Sequence, residues 1–63
     1  MPSETVKKVY EIIAKMIRSG KKRIYYAELI GKCGISPTYA RELLRAYAIE
    51  HGFTWDKGYL FVD

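Results

Sequence analysis

The sequence contains no asparagine and no glutamine, and it has a single cysteine among its 63 residues. A single cysteine cannot form an intramolecular disulfide, so the chain must fold without one, as proteins of reducing intracellular compartments do. Amide side chains are thermolabile, and their loss alongside many lysines and glutamates is typical of proteins from hot environments. The composition therefore predicts a thermophilic source, such as an archaeon or an archaeal virus.

Long apolar runs are also absent. No stretch approaches the roughly 20 apolar residues that a membrane-spanning helix requires. The first residues alternate charged and apolar side chains where a secretory signal peptide would have an apolar block. We therefore expect a cytoplasmic protein that does not associate with a membrane.

The residues needed for catalysis or metal binding are scarce. The one histidine, His51, and the one cysteine, Cys33, provide too few soft ligands for a zinc site. Cys33 follows an apolar helical pattern without a nearby base to activate its thiol, and there is no glycine-rich phosphate loop. We expect no enzymatic activity, no metal, no cofactor and no small-molecule substrate.

What the chain does contain is apolar residues, aromatic rings and positive charge. It is 49% hydrophobic and 14% aromatic, enough to order one small domain over residues 1–63. Eleven Lys and Arg against seven Asp and Glu give a net charge of +4 and a pI near 9.3. This excess indicates an anionic partner, with nucleic acid as the first candidate. Because the same charge would also keep a protein soluble, the arrangement of the charges has to decide.

Helical periodicity predicts a first helix over residues 4–19, with Ser3 as N-cap and Gly20 at its end. Its apolar stripe is Val6, Val9, Tyr10, Ile13, Met16 and Ile17. Ile12 does not fit the stripe, and it indicates either a wide core-facing surface, which we favour, or a homodimer contact.

A short strand, residues 24–26, and two further helices follow. The second helix begins near Tyr26 or Ala27 and ends at Gly34. The third has Ser36 as N-cap and Pro37 at its first position, and it ends at Gly52. A helical wheel places Ala40, Leu43, Leu44, Tyr47 and His51 on its packed face, with Thr38, Glu42, Arg45 and Ile49 opposite and Tyr39, Arg41 and Ala46 on the flanks.

The C-terminal residues 53–62 are typical of a β-hairpin. A three-residue turn at residues 56–58, with a left-handed Gly58, would pair Trp55 with Tyr59 and Phe53 with Phe61. It would leave Thr54, Leu60 and Val62 on the other face. The last strand is expected to pair with residues 24–26.

This order of elements, α-β-α-α-β-β, resembles the winged helix-turn-helix family over nearly the whole chain, and it is similar to small archaeal or archaeal-viral transcription regulators. The resemblance is carried by the strand-to-helix entry Ile-Tyr-Tyr-Ala-Glu-Leu at residues 24–29, the turn Cys-Gly-Ile-Ser at residues 33–36 and a recognition helix at residues 38–47. It implies an α+β fold. Two departures are Cys33, where leucine is common, and a wing reduced to residues 56–58.

The resemblance implies that the third helix, residues 36–51, enters the major groove of DNA with its N-terminal half against the bases. The residues point to the same face. Arg41 and Arg45 lie one turn apart, and arginine suits bidentate contact with guanine. Thr38 and Tyr39 occupy the first turn, where they would contact a phosphate or a thymine methyl group. Without asparagine or glutamine, the bidentate adenine contact cannot be made.

Several other residues suit contacts to the DNA backbone: Lys21, Lys22, Arg23, Lys32, Ser36 and Lys57. Each lysine alone is as well explained as solvated surface. Glu42 would accept a hydrogen bond from cytosine or, as we favour, pair with Arg41 or Arg45. Together these residues predict sequence-specific binding of double-stranded DNA by a transcriptional regulator, acting as a homodimer because one small module offers few base contacts.

Two other functions remain open. Winged helices also serve as protein-interaction modules, which the exposed Ile49, Ile12 and the reduced wing would suit. The same basic surface would also suit RNA. A continuous apolar patch around Ile49 on the third helix would favour a protein partner over DNA.

Overall fold

The computed structural model describes residues 4–62, which form three helices and a three-stranded antiparallel sheet. In chain order, α1 spans Glu4–Arg18, β1 Arg23–Tyr25, α2 Tyr26–Cys33, α3 Pro37–His51, β2 Thr54–Asp56 and β3 Tyr59–Phe61. This confirms the predicted α+β class, the element order and a winged-helix-like topology. Ser3, the predicted N-cap of α1, lies outside the described residues.

Helix α1 covers one side of the core. Val9, Ile13 and Met16 are buried along its apolar stripe, as the helical spacing predicts. Ile12 is half-buried and packs against the core, which confirms the interpretation that we favoured. Over residues 4–62, no helix is long and apolar enough to cross a membrane.

The α2–α3 turn forms as its sequence predicts. Gly34 adopts a left-handed conformation, with φ +65°, and its N–H donates to the Ile30 carbonyl at 3.0 Å. Ser36 then caps α3, because its Oγ accepts a hydrogen bond from the Tyr39 N–H at 3.2 Å. Pro37 occupies the first position of the helix, where no N–H is needed.

Helix α3 is the central element, and it packs against α1, α2, β2 and β3. Its inner side is buried along its whole length through Ala40, Leu43, Leu44, Tyr47 and Ala48. His51 was predicted on this packed face, but it is exposed. Its ring instead stacks on Tyr47 with centroids 4.1 Å apart, so it lies at the edge of the core.

The sheet has strand order β1-β3-β2. Ile24 on β1 lies opposite Leu60 on β3, and both are fully buried against the helices. Because side chains alternate along a strand, the neighbouring Tyr25, Tyr59 and Phe61 lie on the other face. There the Tyr25 and Tyr59 rings are 4.5 Å apart.

The predicted hairpin register is wrong by one residue. Trp55 lies opposite Leu60 and Asp56 lies opposite Tyr59, which leaves only Lys57 and Gly58 in the turn. Both have positive φ, +47° and +85°, as a two-residue type I′ turn requires. Sequence rules disfavour a lysine in this conformation, yet the turn matches the right-handed twist of the strands. Trp55 therefore shares a face with Leu60 rather than with Tyr59.

The register change also moves the neighbouring residues. Thr54, rather than Phe53, lies opposite Phe61. The outward face thus holds Thr54 with Phe61, whereas the prediction had separated them. Strand β1 spans residues 23–25 rather than the predicted 24–26. It ends one residue earlier because Tyr26 is already the first residue of α2.

Two glycine substitutions should separate backbone strain from steric conflict. A Cβ at Gly34 would meet nothing within 4 Å, so Gly34→Ala should cost only the left-handed conformation, about 1–2 kcal/mol. A Cβ at Gly58 would lie 2.9 Å from Tyr26 Cδ1 and 3.2 Å from Tyr25 Cε1. Gly58→Ala should therefore lower the free energy of unfolding, measured in urea, by clearly more than Gly34→Ala. Equal losses would contradict the close packing of the two rings on the turn.

Candidate nucleic-acid interface

The outward side of α3 carries the predicted base-contacting residues. Thr38, Arg41 and Arg45 are all exposed there. Within residues 4–62, the ion pair between Lys21 and Glu28 is the only one, so neither arginine has a carboxylate partner in the described chain. Glu42 is also exposed and makes no salt bridge with either arginine there, so the predicted intrahelical pair is not formed.

The first turn of α3 presents one of its two predicted contact residues. Thr38 is exposed, whereas the Tyr39 side chain is half-buried and packs against the core. The Tyr39 N–H is already donated to Ser36 Oγ. At this end of α3, a ligand can therefore reach Thr38 and the Ser36 hydroxyl, which still has its hydrogen to donate.

Arg41 makes an unexpected contact. Its guanidinium carbon lies 5.1 Å from the centroid of the Tyr26 ring, a cation–π arrangement between α3 and the start of α2. Hydrogen bonds from Arg41 and from the Tyr25 hydroxyl lower the pKa of Tyr26 below its ordinary value. Donating to Tyr26 in turn raises the pKa of Tyr25. Arg41 is therefore held on the hairpin side of α3 rather than at the centre of its outward face.

A concave surface lies where Arg41 approaches the β-hairpin, and we call it the hairpin pocket. It is lined by Tyr25, Tyr26, Arg41, Trp55, Lys57 and Gly58. Two of these residues, Arg41 and Lys57, were predicted to contact DNA. Sequence reasoning missed Tyr25 and Tyr26 as site residues, because their proximity to Arg41 depends on how α2, α3 and the hairpin pack together.

The remaining predicted cations are distributed over other surfaces. Lys21 is hydrogen-bonded to Glu28, whose other oxygen accepts from the Tyr25 N–H at 3.0 Å. Partial burial raises the pKa of Glu28, but these two hydrogen bonds outweigh it and leave the pKa below its usual value. Lys21 therefore stabilises the N-terminus of α2 through its contact with Glu28. Lys22 and Lys32 are exposed, Lys32 in the last turn of α2.

Arg23 lies on the outward face of the sheet, away from the helices. Its guanidinium carbon is 5.9 Å from the centroid of the Tyr59 ring. Because α3 packs on the opposite face of the sheet, Arg23 does not share a surface with Arg45. Arg41 and Lys57 thus line one pocket, and Arg23 is not among its lining residues.

Ile49 is the exposed large apolar residue of the described chain, with 65% of its surface accessible. Arg45 lies one helical turn before Ile49, and Glu50 follows it directly. Both are charged and exposed. A single apolar side chain among charges is common on soluble proteins. The continuous apolar patch that would favour a protein partner is not formed on this face.

A second concave surface lies between α1 and the end of α3. There the Tyr10 and Tyr47 rings meet edge to face with centroids 5.1 Å apart. Burial and a hydrogen bond to Glu50 raise the pKa of Tyr10. The charged groups that line this groove are mainly negative, with Glu4, Glu11 and Glu50 against Lys7. It does not have the positive character of the hairpin pocket.

Groups suited to metal chemistry are dispersed. Across the described part of the chain, no three His, Cys, Asp or Glu residues lie close enough to hold a metal ion. Cys33 is half-buried, and burial raises the pKa of its thiol, which disfavours the reactive thiolate at neutral pH.

The contact between Arg41 and Tyr26 can be tested in solution. Arg41→Ala should raise the pKa of Tyr26, because the guanidinium stabilises the phenolate more than the phenol. The ¹³Cζ chemical shift of Tyr26, assigned with Tyr26→Phe, would follow its titration by NMR. Arg45→Ala is the matched control and should leave that titration in place. An unchanged Tyr26 pKa in Arg41→Ala would show that the two side chains do not interact.

Comparisons with models of protein families, with curated proteins and with solved structures find no significant match to this chain. Sequence similarity therefore adds no evidence about the partner. What the protein does has to be inferred from the exposed face of α3 and from the hairpin pocket beside it.

Proposed function

We propose that the protein binds double-stranded DNA in a sequence-specific manner as a cytoplasmic transcriptional regulator, with α3 in the major groove. The observation that carries this proposal is the outward face of α3. Arg41 and Arg45 stand there without carboxylate partners among the described residues. The opposite side of the same helix is buried along its length, so α3 is a rigid support for whatever its outward face contacts.

The dimensions of α3 suit this role. Its 15 residues make a rod about 22 Å long, and a major groove about 12 Å wide admits one helix. The N-terminal turn presents Thr38 and Ser36, and the dipole of the helix favours a phosphate oxygen at this end. Arg45, one turn beyond Arg41, is the side chain best placed on this face to donate to guanine O6 and N7.

A homodimer would extend the contact to two half-sites, since a single helix reads only a few base pairs. Ile12, the candidate dimer contact, is half-buried and packs against the core. The dimer is therefore a proposal that rests on the size of the binding site, and a palindromic target would support it.

A protein-interaction role has less support on this face. Ile49 is exposed but stands among Arg45 and Glu50 rather than in an apolar patch. Interfaces for protein partners typically have an apolar centre with few charges. RNA is the other polyanion that the basic surface would suit, and structured RNA belongs in the same binding experiments as a competitor.

Selection of bound duplexes from a random DNA pool would test the proposal. We expect a defined target, and a palindromic one if the protein binds as a dimer. On that target, Arg45→Ala should weaken binding by about 1–3 kcal/mol and relax the preference at one base pair. Affinity would be measured by fluorescence anisotropy over a series of salt concentrations. No detectable duplex binding at low salt would overturn the proposal. Preference for structured RNA in competition would show that RNA, and not duplex DNA, is the partner.

The lysines provide a matched pair for the same experiment. Lys22 is exposed and has no ionic partner among the described residues, so Lys22→Ala should weaken all duplexes alike. It should also reduce the slope of log K against log salt by roughly 0.9 if Lys22 contacts one phosphate. Lys21 is paired with Glu28, and we expect Lys21→Ala to change the slope less. A larger effect of Lys21→Ala would contradict this assignment.

A further inference from the structure

The hairpin pocket concentrates positive charge from two separate elements. Arg41 comes from α3 and Lys57 from the turn of the hairpin, and no carboxylate is among the residues that line the pocket. In the described chain neither cation has an ionic partner. An anion bound in the pocket would be attracted by both charges.

Contacts within the chain define the shape of the pocket. The Tyr26 N–H donates to the Gly58 carbonyl at 3.0 Å, which attaches the start of α2 to the hairpin turn. The Tyr25 and Tyr26 rings pack so closely on Gly58 that a Cβ there would lie 2.9 Å from Tyr26 Cδ1. Arg41 is in turn held against the Tyr26 ring. Helices α2 and α3 and the hairpin turn therefore meet at this pocket.

The backbone of Lys57 is a second indication of a ligand site. Its φ of +47° is the one positive value at a non-glycine residue in the described chain. A left-handed conformation costs a lysine about 1–2 kcal/mol, whereas glycine or asparagine adopts it readily. Such strained residues persist where the surroundings hold them, and they are frequent at ligand-binding sites. The lysine provides an ammonium group at a position where local structure alone would favour another residue.

The hydrogen bonds in the pocket leave donors available. Arg41 and the Tyr25 hydroxyl both lower the pKa of Tyr26, so the surroundings of this hydroxyl favour negative charge. A phenolic hydroxyl also has one hydrogen to donate. A guanidinium has five N–H donors and an ammonium has three, so one contact between Arg41 and Tyr26 leaves most of them unused. The pocket is thus rich in donors, with two positive charges.

We infer that the hairpin pocket is an anion site that takes a phosphate group, held by Arg41 and Lys57 with the Tyr26 hydroxyl as a third donor. Charge-assisted hydrogen bonds of this kind are about twice as strong as neutral ones. On duplex DNA the group is a single backbone phosphate, and this part of the inference rests on the proposed function. Arg41 then positions α3 on the backbone and leaves base reading to Arg45. A free phosphate ester is the other source of the same chemistry.

The first experiment tests the anion site without DNA. Inorganic phosphate would be titrated into the protein at constant ionic strength, with chloride as the control anion, and NMR would follow the Trp55 indole N–H and the Gly58 amide. Lys57→Asn removes the ammonium but keeps a residue that tolerates the left-handed turn, and Lys22→Ala is the matched control. We expect saturable shifts with phosphate that weaken about tenfold or more in Lys57→Asn and persist in Lys22→Ala. Shifts that chloride reproduces, or that Lys57→Asn leaves unchanged, would overturn the inference.

The second experiment identifies the source of the phosphate. Duplexes of the selected target would carry one uncharged methylphosphonate linkage at successive backbone positions. Each bound protein should have one backbone position at which the neutral linkage weakens binding of the wild type. The same linkage should not weaken binding of Lys57→Asn, which has already lost that contact. Arg41→Ala should weaken cognate and altered duplexes alike and reduce the salt slope by roughly 0.9. Relaxed preference at one base pair with an unchanged slope would show that Arg41 reads a base, and it would overturn the backbone assignment.

The two proposals can fail separately. If no duplex binds but phosphate still shifts the pocket resonances of the wild type and not of Lys57→Asn, the anion site stands and the proposed function fails. A mononucleotide, deoxyadenosine monophosphate, would then be titrated as the free ester, and tighter binding than inorganic phosphate would assign the site to it. If duplexes bind and the pocket variants behave as wild type, the proposed function stands and the anion site fails.

Discussion

Burial of the inner side of α3 is the constraint on which the other elements depend. Leu43, Leu44 and Tyr47 contact a core that α1, α2 and the sheet complete, and α3 packs against four other elements. In a chain of 63 residues, one helix that is buried on one side accounts for much of the apolar surface removed from water. Its opposite side is exposed and is held in place by the packing of the buried side.

Much of the fold follows from local sequence signals, and what was missed depends on distant contacts. Ser36, Pro37 and Gly34 fix the ends of α2 and α3 because caps and left-handed glycines act within one turn. The hairpin register did not follow, since Lys57 takes a conformation that its residue type disfavours. The hairpin pocket was not predicted as a unit, because Tyr26, Arg41 and Lys57 are separated in the chain and meet only through packing.

The two arginines of α3 illustrate how packing changes a residue's task. The helical wheel treats Arg41 and Arg45 as equivalent exposed cations one turn apart. In the structure Arg41 lies against Tyr26, at the junction of three elements, while Arg45 has no comparable contact. A side chain held in this way has less freedom to adjust to a base edge but a better-defined position for a charge.

The hydrogen bond from the Tyr26 N–H to the Gly58 carbonyl joins the hairpin tip to the first residue of α2. In many small domains a hairpin tip moves independently of the helices, and binding then has to order it at a cost in conformational entropy. Here that ordering is completed when the protein folds. The short hairpin should therefore act as an edge of the helical unit, and a ligand contacting Lys57 would meet a turn that is already attached to α2.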